Sequence, residues 1–291
     1  MNIKHYIRVK CRIKVNNKIL AMRRFFVCLL VGMFSYVTSY GADNLRVPDV
    51  RSIGMGGNVG TRSASFNPAL LTLEEEKSIR LNYFNKYLLK ELGTLSGSFY
   101  YPNPFLSLGF DISAFGYEAY REMMFRFSMG KRLGNRWALG VGFHYSFLQT
   151  EVLESTKARL SVDLGLTYSP FDKLLIGVFM INMPSISLGD KTIDIEDFSY
   201  YLTQISFQWE IINNLLIVGS AGTDSERIWI GNIGLEYTLF DAFFLRAGMR
   251  TDPLSPSLGV GYLFSVFAID AATIYHPVLG MSVGVGLSFT F

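Results

Sequence analysis

The sequence is poor in cysteine, and its two cysteines, Cys11 and Cys28, both lie within the first 41 positions. A chain from which those positions had been removed would have no thiol, which excludes disulfides and thiolate metal sites. Long apolar runs are also missing beyond this region. The longest, such as residues 174–181, fall far short of the ~18 apolar residues that a membrane-spanning helix needs. Yet 49% of all residues are hydrophobic and 15% are aromatic.

Acidic residues are absent from the first 41 positions, which contain eight Lys and Arg. Subtracting these eight from the 27 Lys and Arg leaves 19 against 24 Asp and Glu, a net charge of −5. A charged start at Met22-Arg23-Arg24 precedes an apolar stretch over residues 25–34 and small residues near position 41. This pattern predicts a secretory signal in residues 1–41, with Met22 as the expected start. The alternative is a long charged region that begins at Met1.

Most of the remaining chain alternates between apolar and small or polar residues. In the last twelve residues, one face of the predicted strand consists entirely of apolar side chains: Met281, Val283, Val285, Leu287, Phe289 and Phe291. A strand in an ordinary core could show this period of two, but here no later element follows to cover it, whereas lipid can. We count about 14 such segments from Ser78 to Phe291. They predict an all-β fold, a transmembrane antiparallel β-barrel of about 14 strands.

Short turns and longer links alternate along this region, as in outer-membrane barrels. Tight turns are predicted near residues 102–104, 134–135, 170–172, 213–214 and 240–241. Longer links are predicted at 86–91, 148–157, 182–200 and 250–256. The link 182–200 contains four acidic residues, Asp190, Asp194, Glu196 and Asp197. Spaced loop acids of this kind are usually solvated, so no metal site is predicted.

The alternation assigns several charged residues to the inward face of the predicted barrel. These residues are Arg80, Asp111, Arg126, Arg159, Asp163, Glu236, Arg246 and Asp270. We expect them to pair with one another and with the N-terminal segment, which would make the lumen polar and argue against a continuous apolar tunnel. The alternative is a lined path for a solute. Outward aromatic residues are expected to form girdles at the membrane interfaces, and include Tyr100, Tyr168, Trp209, Trp229, Tyr237 and Tyr275.

His144 and Ser146 share one face of a predicted strand, as a nucleophile and its base could. That face is the lumen, and the sequence identifies no third group that would orient the histidine, so we predict no catalytic residue. Gly54 and Gly56 could suggest a nucleotide loop. The flanking elements and the lysine of such a loop are missing, so no cofactor is predicted. Nucleic-acid binding is not expected either, because the basic cluster lies in the signal.

Residues 42–77 do not alternate and carry two short motifs. Arg51 to Gly57, followed by Asn67-Pro68-Ala69, resembles the N-terminal signature of the FadL-type long-chain fatty acid transporters and of the PorV/PorQ-type outer-membrane proteins of Bacteroidetes. The Ile-Gly-Met-Gly-Gly form is closer to the PorV side. The resemblance implies a 14-stranded barrel over residues 78–291 with an N-terminal lumenal plug. The plug motif is Gly54, Met55, Gly56, Gly57, Asn67, Pro68 and Ala69.

Two departures from the pattern bear on function. Residues 58–65 contain no acid where family members usually have an acidic stretch, and the outward loops are short. We therefore expect a PorV/PorQ-like accessory of protein secretion, of the type IX kind, or of surface attachment. A FadL-like passive transporter of hydrophobic small molecules and a purely structural barrel are the alternatives.

The expected partners begin with the lipid of the outer membrane. The terminal Phe291, with Phe289 before it, resembles the signal read by the barrel-assembly machinery. Secretion-system components or secreted proteins follow as partners from the PorV/PorQ resemblance. An enzymatic activity is not expected.

Overall fold

The computed structural model describes residues 44–151, 157–188, 201–224 and 229–291. The predicted signal in residues 1–41 and the acidic residues at 190–197 lie outside them. The strands are β1 (Ser78–Asn85), β2 (Gly93–Tyr101), β3 (Ser107–Tyr117), β4 (Tyr120–Leu133), β5 (Trp137–Thr150), β6 (Lys157–Phe171), β7 (Leu174–Ile181), β8 (Ser185–Leu188), β9 (Leu202–Ile212), β10 (Leu215–Asp224), β11 (Trp229–Leu239), β12 (Phe243–Thr251), β13 (Leu254–Phe264), β14 (Phe267–His276) and β15 (Gly280–Thr290).

The strands form one closed antiparallel sheet. Consecutive strands pair from β1 to β7 and from β9 to β15, β7 pairs with β9, and β1 pairs with β15 from Ser78 opposite Thr290 to Asn85 opposite Val283. Both β7 and β8 pair with β6, so the ring has 14 positions and one extra strand. Pairing of β1 with β15 removes the two open edges that a flat sheet of these strands would have. We name the rim at Ser78 and Thr290 the terminal rim, and the rim at Asn85 the loop rim.

Side chains alternate between the two faces of the sheet as the sequence predicts. In β5, Ala138, Gly140 and Gly142 face inward, while the neighbouring outward residues include Leu139 and Phe143. Outward apolar side chains stay about half exposed, as with Leu164 at 44% and Val285 at 51%. Small inward residues are needed because another part of the chain lies against them.

That part is the described N-terminal segment, residues 44–77, which we name the lumenal segment. It contains one short helix, α1 (Val50–Gly54), and a 3-10 helix (Pro68–Leu73). Helix α1 contacts the inner faces of β12 to β15, and the 3-10 helix contacts those of β3 to β6. The segment therefore crosses the interior of the barrel. Two further 3-10 helices, Lys86–Leu88 and Lys90–Leu92, lie between β1 and β2 at the loop rim.

The chain breaks its strand between β7 and β8, where a long link was predicted from 182 to 200. Asn182 adopts a positive φ of 61°, and Ser185–Leu188 then resumes pairing with β6. Met183 N donates to Val162 O at 2.9 Å, and Val162 N donates to Pro184 O at 3.0 Å. The rest of that predicted link, residues 189–200, lies outside the described residues. The predicted link at 250–256 is wrong, because β12 and β13 leave only residues 252 and 253 between them.

The interior is less polar than expected. A buried apolar cluster joins the lumenal segment to the wall through Val59, Phe66, Phe179, Ile181 and Leu202. The inward face of β7 is therefore apolar, which explains why its sequence alternates poorly.

Tyr100 was expected outside, in an aromatic girdle. It is 2% exposed and lies inside, where its hydroxyl donates to Asp111 Oδ1 at 3.2 Å. By contrast, Tyr168 stacks on Trp137 with ring centroids 4.1 Å apart on the outer face.

A matched pair of substitutions on β15 tests the assignment of faces. Val285 lies mid-strand on the outer face, whereas Ser288 lines an open part of the lumen. Val285→Arg should reduce the folded fraction, because arginine near the middle of a bilayer costs ~2–4 kcal/mol, and Ser288→Arg should reduce it less. Heat-modifiable migration of the protein from isolated outer membranes measures this. Equal losses from both substitutions would reverse our assignment.

Candidate functional site: the lumen

The glycine motif of the lumenal segment lies where the backbone of the segment contacts the backbone of the barrel wall. Gly56 has a φ of 77°, and a Cβ added there would come within 2.7 Å of Met249 O and 2.8 Å of Ile233 O. Met55 is fully buried, and its backbone packs on the wall at Gly248. The motif therefore needs glycine both for its left-handed conformation and for its close approach to β11 and β12.

The second motif packs on the opposite side of the lumen. Asn67 is fully buried; its Nδ2 donates to Gly60 O at 2.8 Å, and its Oδ1 accepts from Ala69 N at 3.2 Å. Pro68 and Ala69 lie against the wall at Gly140, where a Cβ would overlap their backbone. Glycines in β5 and β6 thus provide the space that the 3-10 helix occupies.

A buried network of ion pairs joins the lumenal segment to β3, β4 and β6. Arg46 Nη2 donates to Asp163 Oδ2 at 2.6 Å, and Arg126 Nε donates to the same oxygen at 2.9 Å. Arg126 Nη1 donates to Asp111 Oδ2 at 2.8 Å. The side chains of Arg126 and Asp163 are fully buried. Two guanidinium groups and two carboxylates balance in charge, and each carboxylate offsets part of the desolvation cost of its partners.

Asp163 also reaches His144 and the break between β7 and β8. Its Oδ1 accepts from Asn182 N at 3.0 Å and lies 3.5 Å from His144 Nε2. This carboxylate is the third group that the sequence did not identify beside His144 and Ser146. Two arginines already bind this carboxylate, and the side chains of His144, Ser146 and Asp163 are all buried. The arrangement is therefore an ion-pair network rather than a nucleophile with its base.

A second network holds helix α1 against β11, β12 and β14. Arg51 forms two hydrogen bonds to Glu236, one of them at 2.7 Å, and Arg246 Nε donates to Glu236 Oε2 at 2.6 Å. Arg246 Nη1 donates to Asp270 Oδ1 at 2.5 Å. Ser257 supports the helix end, because its Oγ accepts from Gly56 N at 2.9 Å.

The two remaining inward charges have separate surroundings. Arg80 pairs with Glu74 at 2.7 Å near the terminal rim, and buried Arg159 has Ser187 Oγ at 3.4 Å. The structure therefore places all eight predicted lumen charges inside but divides them among different groups. Sequence reasoning missed their partners Arg46, Arg51 and Glu74. Their charge, in a glycine-rich stretch that does not alternate, was the available signal.

The lumenal segment separates two cavities. The loop-side cavity has a volume of about 390 Å³, and its lining includes Ile53, Phe66 and Ile230. The terminal-side cavity has a volume of about 470 Å³, and its lining includes Arg62 and Arg246. A third space of about 20 Å³ adjoins the segment between them. No group of three or more His, Cys, Asp or Glu side chains within the described ranges could hold a metal ion.

Comparisons with known proteins agree on the architecture. No family model matches this chain, and no curated protein matches it. Among solved structures, the CymD monoaromatic hydrocarbon channel aligns with a TM-score of 0.65 at 15% identity, covering 86% of this chain and 99% of that one. The fold is FadL-like. A Pseudomonas aeruginosa FadL homologue aligns with a TM-score of 0.61 at 12% identity, covering 85% of this chain and 99% of that one.

A third solved structure, the P. putida toluene transporter TodX, aligns with a TM-score of 0.58 at 12% identity, covering 87% of this chain and 99% of that one. One of these three proteins is described as a channel and another as a transporter, and this chain shares their barrel fold. These three structures do not show the PorV/PorQ resemblance.

Removing the charge of Asp163 tests the buried network. Asp163→Asn would leave Arg46 and Arg126 with one carboxylate between them, and an unpaired buried charge costs about 3–5 kcal/mol. The urea midpoint of unfolding, measured in detergent, should fall clearly. Asp241→Asn, an isosteric change at an exposed turn, is the control and should leave it unchanged. Equal midpoints for both variants would contradict the stabilising role of the network.

The last residues allow a test of assembly. Phe289 stacks on Phe291 with centroids 5.3 Å apart and also contacts Phe267 at 4.7 Å. Phe291 N donates to Lys77 O at 2.9 Å. Deleting Phe291 should lower the amount of folded barrel in outer membranes several-fold, because the expected assembly signal is lost. Unchanged yield in quantitative immunoblots would remove that role.

Proposed function

We propose that this protein is a passive outer-membrane channel for small hydrophobic molecules, with the lumenal segment as its plug. The observation that carries the proposal is the loop-side cavity. Apolar side chains of the segment and of the wall meet there, with Ile53, Phe66, Phe84, Ile230 and Ile274 among its lining. Its volume of about 390 Å³ falls in the range of ~300–1,000 Å³ typical of small-molecule sites.

The position of the segment supports its role as a plug. Arg46, Pro48 and Phe66 border the loop-side cavity, while Arg51, Arg62 and Leu73 border the terminal-side cavity. The space of about 20 Å³ beside the segment holds about one water molecule. This space is too small for an organic solute, so we expect passage there to require a shift of the segment. The ion pairs of Arg46 with Asp163 and of Arg51 with Glu236 would keep it closed at rest.

The solute class follows from two lines of support. Part of the cavity lining is apolar. In addition, two of the aligned structures are described as a monoaromatic hydrocarbon channel and a toluene transporter. The secretion role expected from the PorV/PorQ resemblance lacks such support, although a closed lumen and short loops are compatible with it. Lipid and the barrel-assembly machinery remain the proposed partners, with secretion components or secreted proteins as partners only in that second role.

Uptake of radiolabelled toluene by cells that produce the protein tests the channel. Ile230→Trp should reduce uptake several-fold, because this inward residue is 5% exposed and lines the cavity. Ile233→Trp is the control on the same strand, since Ile233 is 60% exposed on the outer face. Uptake equal to that of cells without the protein, or unaffected by Ile230→Trp, would remove the transport proposal. Capture of a secreted protein would then favour the secretion role.

Single-channel conductance in planar bilayers tests the plug. The intact protein should be nearly silent, because the segment satisfies the inward charges and fills the lumen. Deletion of residues 46–73 should produce a steady ion conductance, since water must replace that backbone around Arg126, Asp163 and Glu236. High conductance of the intact protein would contradict a plug.

A further inference from the structure

The charged side chains that line the loop-side cavity are all basic. Arg46, Lys86 and Arg250 contribute to its lining, and no Asp or Glu among the described residues does. A cavity that has apolar walls and only basic charged side chains attracts anions. No acidic side chain there offsets the positive charge, and solvent that would screen it is partly excluded. The whole barrel does not share this bias, since acidic and basic residues both line the terminal-side cavity.

Two of the three cations already have partners. Arg46 Nη2 is bound to Asp163 at 2.6 Å, in the buried network. Lys86 Nζ donates to Asn44 Oδ1 at 3.0 Å and lies 5.8 Å from the centroid of the Phe115 ring. Neither is therefore available to a ligand without losing an existing interaction.

Arg250 differs from them. It lies at the loop end of β12, opposite Asn232 of β11 and Ser255 of β13, both of which also line the cavity. Its Nε is buried and has no hydrogen-bond partner in the described part of the chain. Leaving a buried donor without a partner costs free energy. Because Arg250 lines the cavity, the charge of its guanidinium group acts on a ligand there, although Nε itself is closed to solvent.

His276 adds a second donor to the same lining. Its Nδ1 accepts from Val278 N at 3.2 Å and from Leu279 N at 3.1 Å. In the neutral ring the proton therefore resides on Nε2, which becomes a donor. The polar groups of the lining thus include a guanidinium and an imidazole N–H, both suited to an anionic acceptor.

The apolar part of the cavity limits the size of the ligand's uncharged part. A cavity of about 150 Å³ is enough to hold benzene, so about 390 Å³ accommodates a single ring with an acidic substituent. Ile53, Phe84 and Ile274 would contact the ring, while Arg250 would meet the charge. Guanidinium groups bind carboxylates through paired, charge-assisted hydrogen bonds.

We propose that Arg250 is a specificity-determining residue, which makes the loop-side cavity select compact apolar monoanions, such as aromatic carboxylates, over uncharged hydrocarbons of the same size and over cations. This inference rests on the proposed function, because it names the ligand class of the same cavity. The inference differs from the proposed function in the ligand that it names. An uncharged hydrocarbon would contact only the apolar part of the lining and would leave Arg250 without a partner.

Binding of three probes of matched shape to the intact protein in lipid nanodiscs tests the inference. Calorimetry should give benzoate the highest affinity, toluene an affinity about tenfold lower, and benzylamine no measurable binding. Arg250→Gln should weaken benzoate about tenfold and leave toluene unchanged, and Arg250→Lys should retain part of the benzoate affinity. Raised salt should weaken benzoate binding to the intact protein but not toluene binding.

Arg62→Gln is the matched control, because Arg62 lines the terminal-side cavity and its Nη1 donates only to Gln208 Oε1, at 2.9 Å, within the described residues. It should leave benzoate affinity unchanged. Toluene binding as tight as benzoate binding, or equal benzoate affinity for Arg250→Gln and the intact protein, would overturn the role of Arg250 and leave the channel proposal intact. Absence of binding by all three probes would overturn both.

Discussion

Closure of the sheet is the constraint on which the rest of this structure depends. Fourteen strand positions pair in a ring, so the backbone groups of the wall can find partners without water, as a bilayer requires. Closure creates an interior, and an interior of this width must be filled by side chains, by water or by another part of the chain. Here residues 44–77 cross it, and small inward residues such as Gly140, Gly165 and Gly248 give them room.

Charge balance then determines where the lumenal segment lies. One network places Arg46 on Asp163 beside Arg126 and Asp111, and the other places Arg51 on Glu236 beside Arg246. Each network combines groups from the segment with groups from the wall. Removing one member would leave a buried charge without its partner, which costs much more than a surface ion pair would contribute. The segment is therefore fixed at two separate points.

Asp163 connects three features that would otherwise be independent. Its two oxygens accept from Arg46 of the segment, from Arg126 of the wall and from the backbone of Asn182 at the break between β7 and β8. Arg46 also borders the loop-side cavity. A shift of the segment on the cavity side would thus alter the interactions at the strand break, because both share the same carboxylate.

The sequence by itself determined the two faces of the wall, the approximate strand number and the inward position of Asp111, Arg126 and Glu236. A period of two is a local property, readable without knowing what any strand contacts. The tertiary structure alone decided which charges meet, why β7 is apolar inside and why Tyr100 faces Asp111. Those outcomes depend on strand register and on the path of a segment more than 100 residues away along the chain from Asp163. Apolar residues on an inward face look like lipid-facing residues until Val59 and Phe66 are seen to cover them.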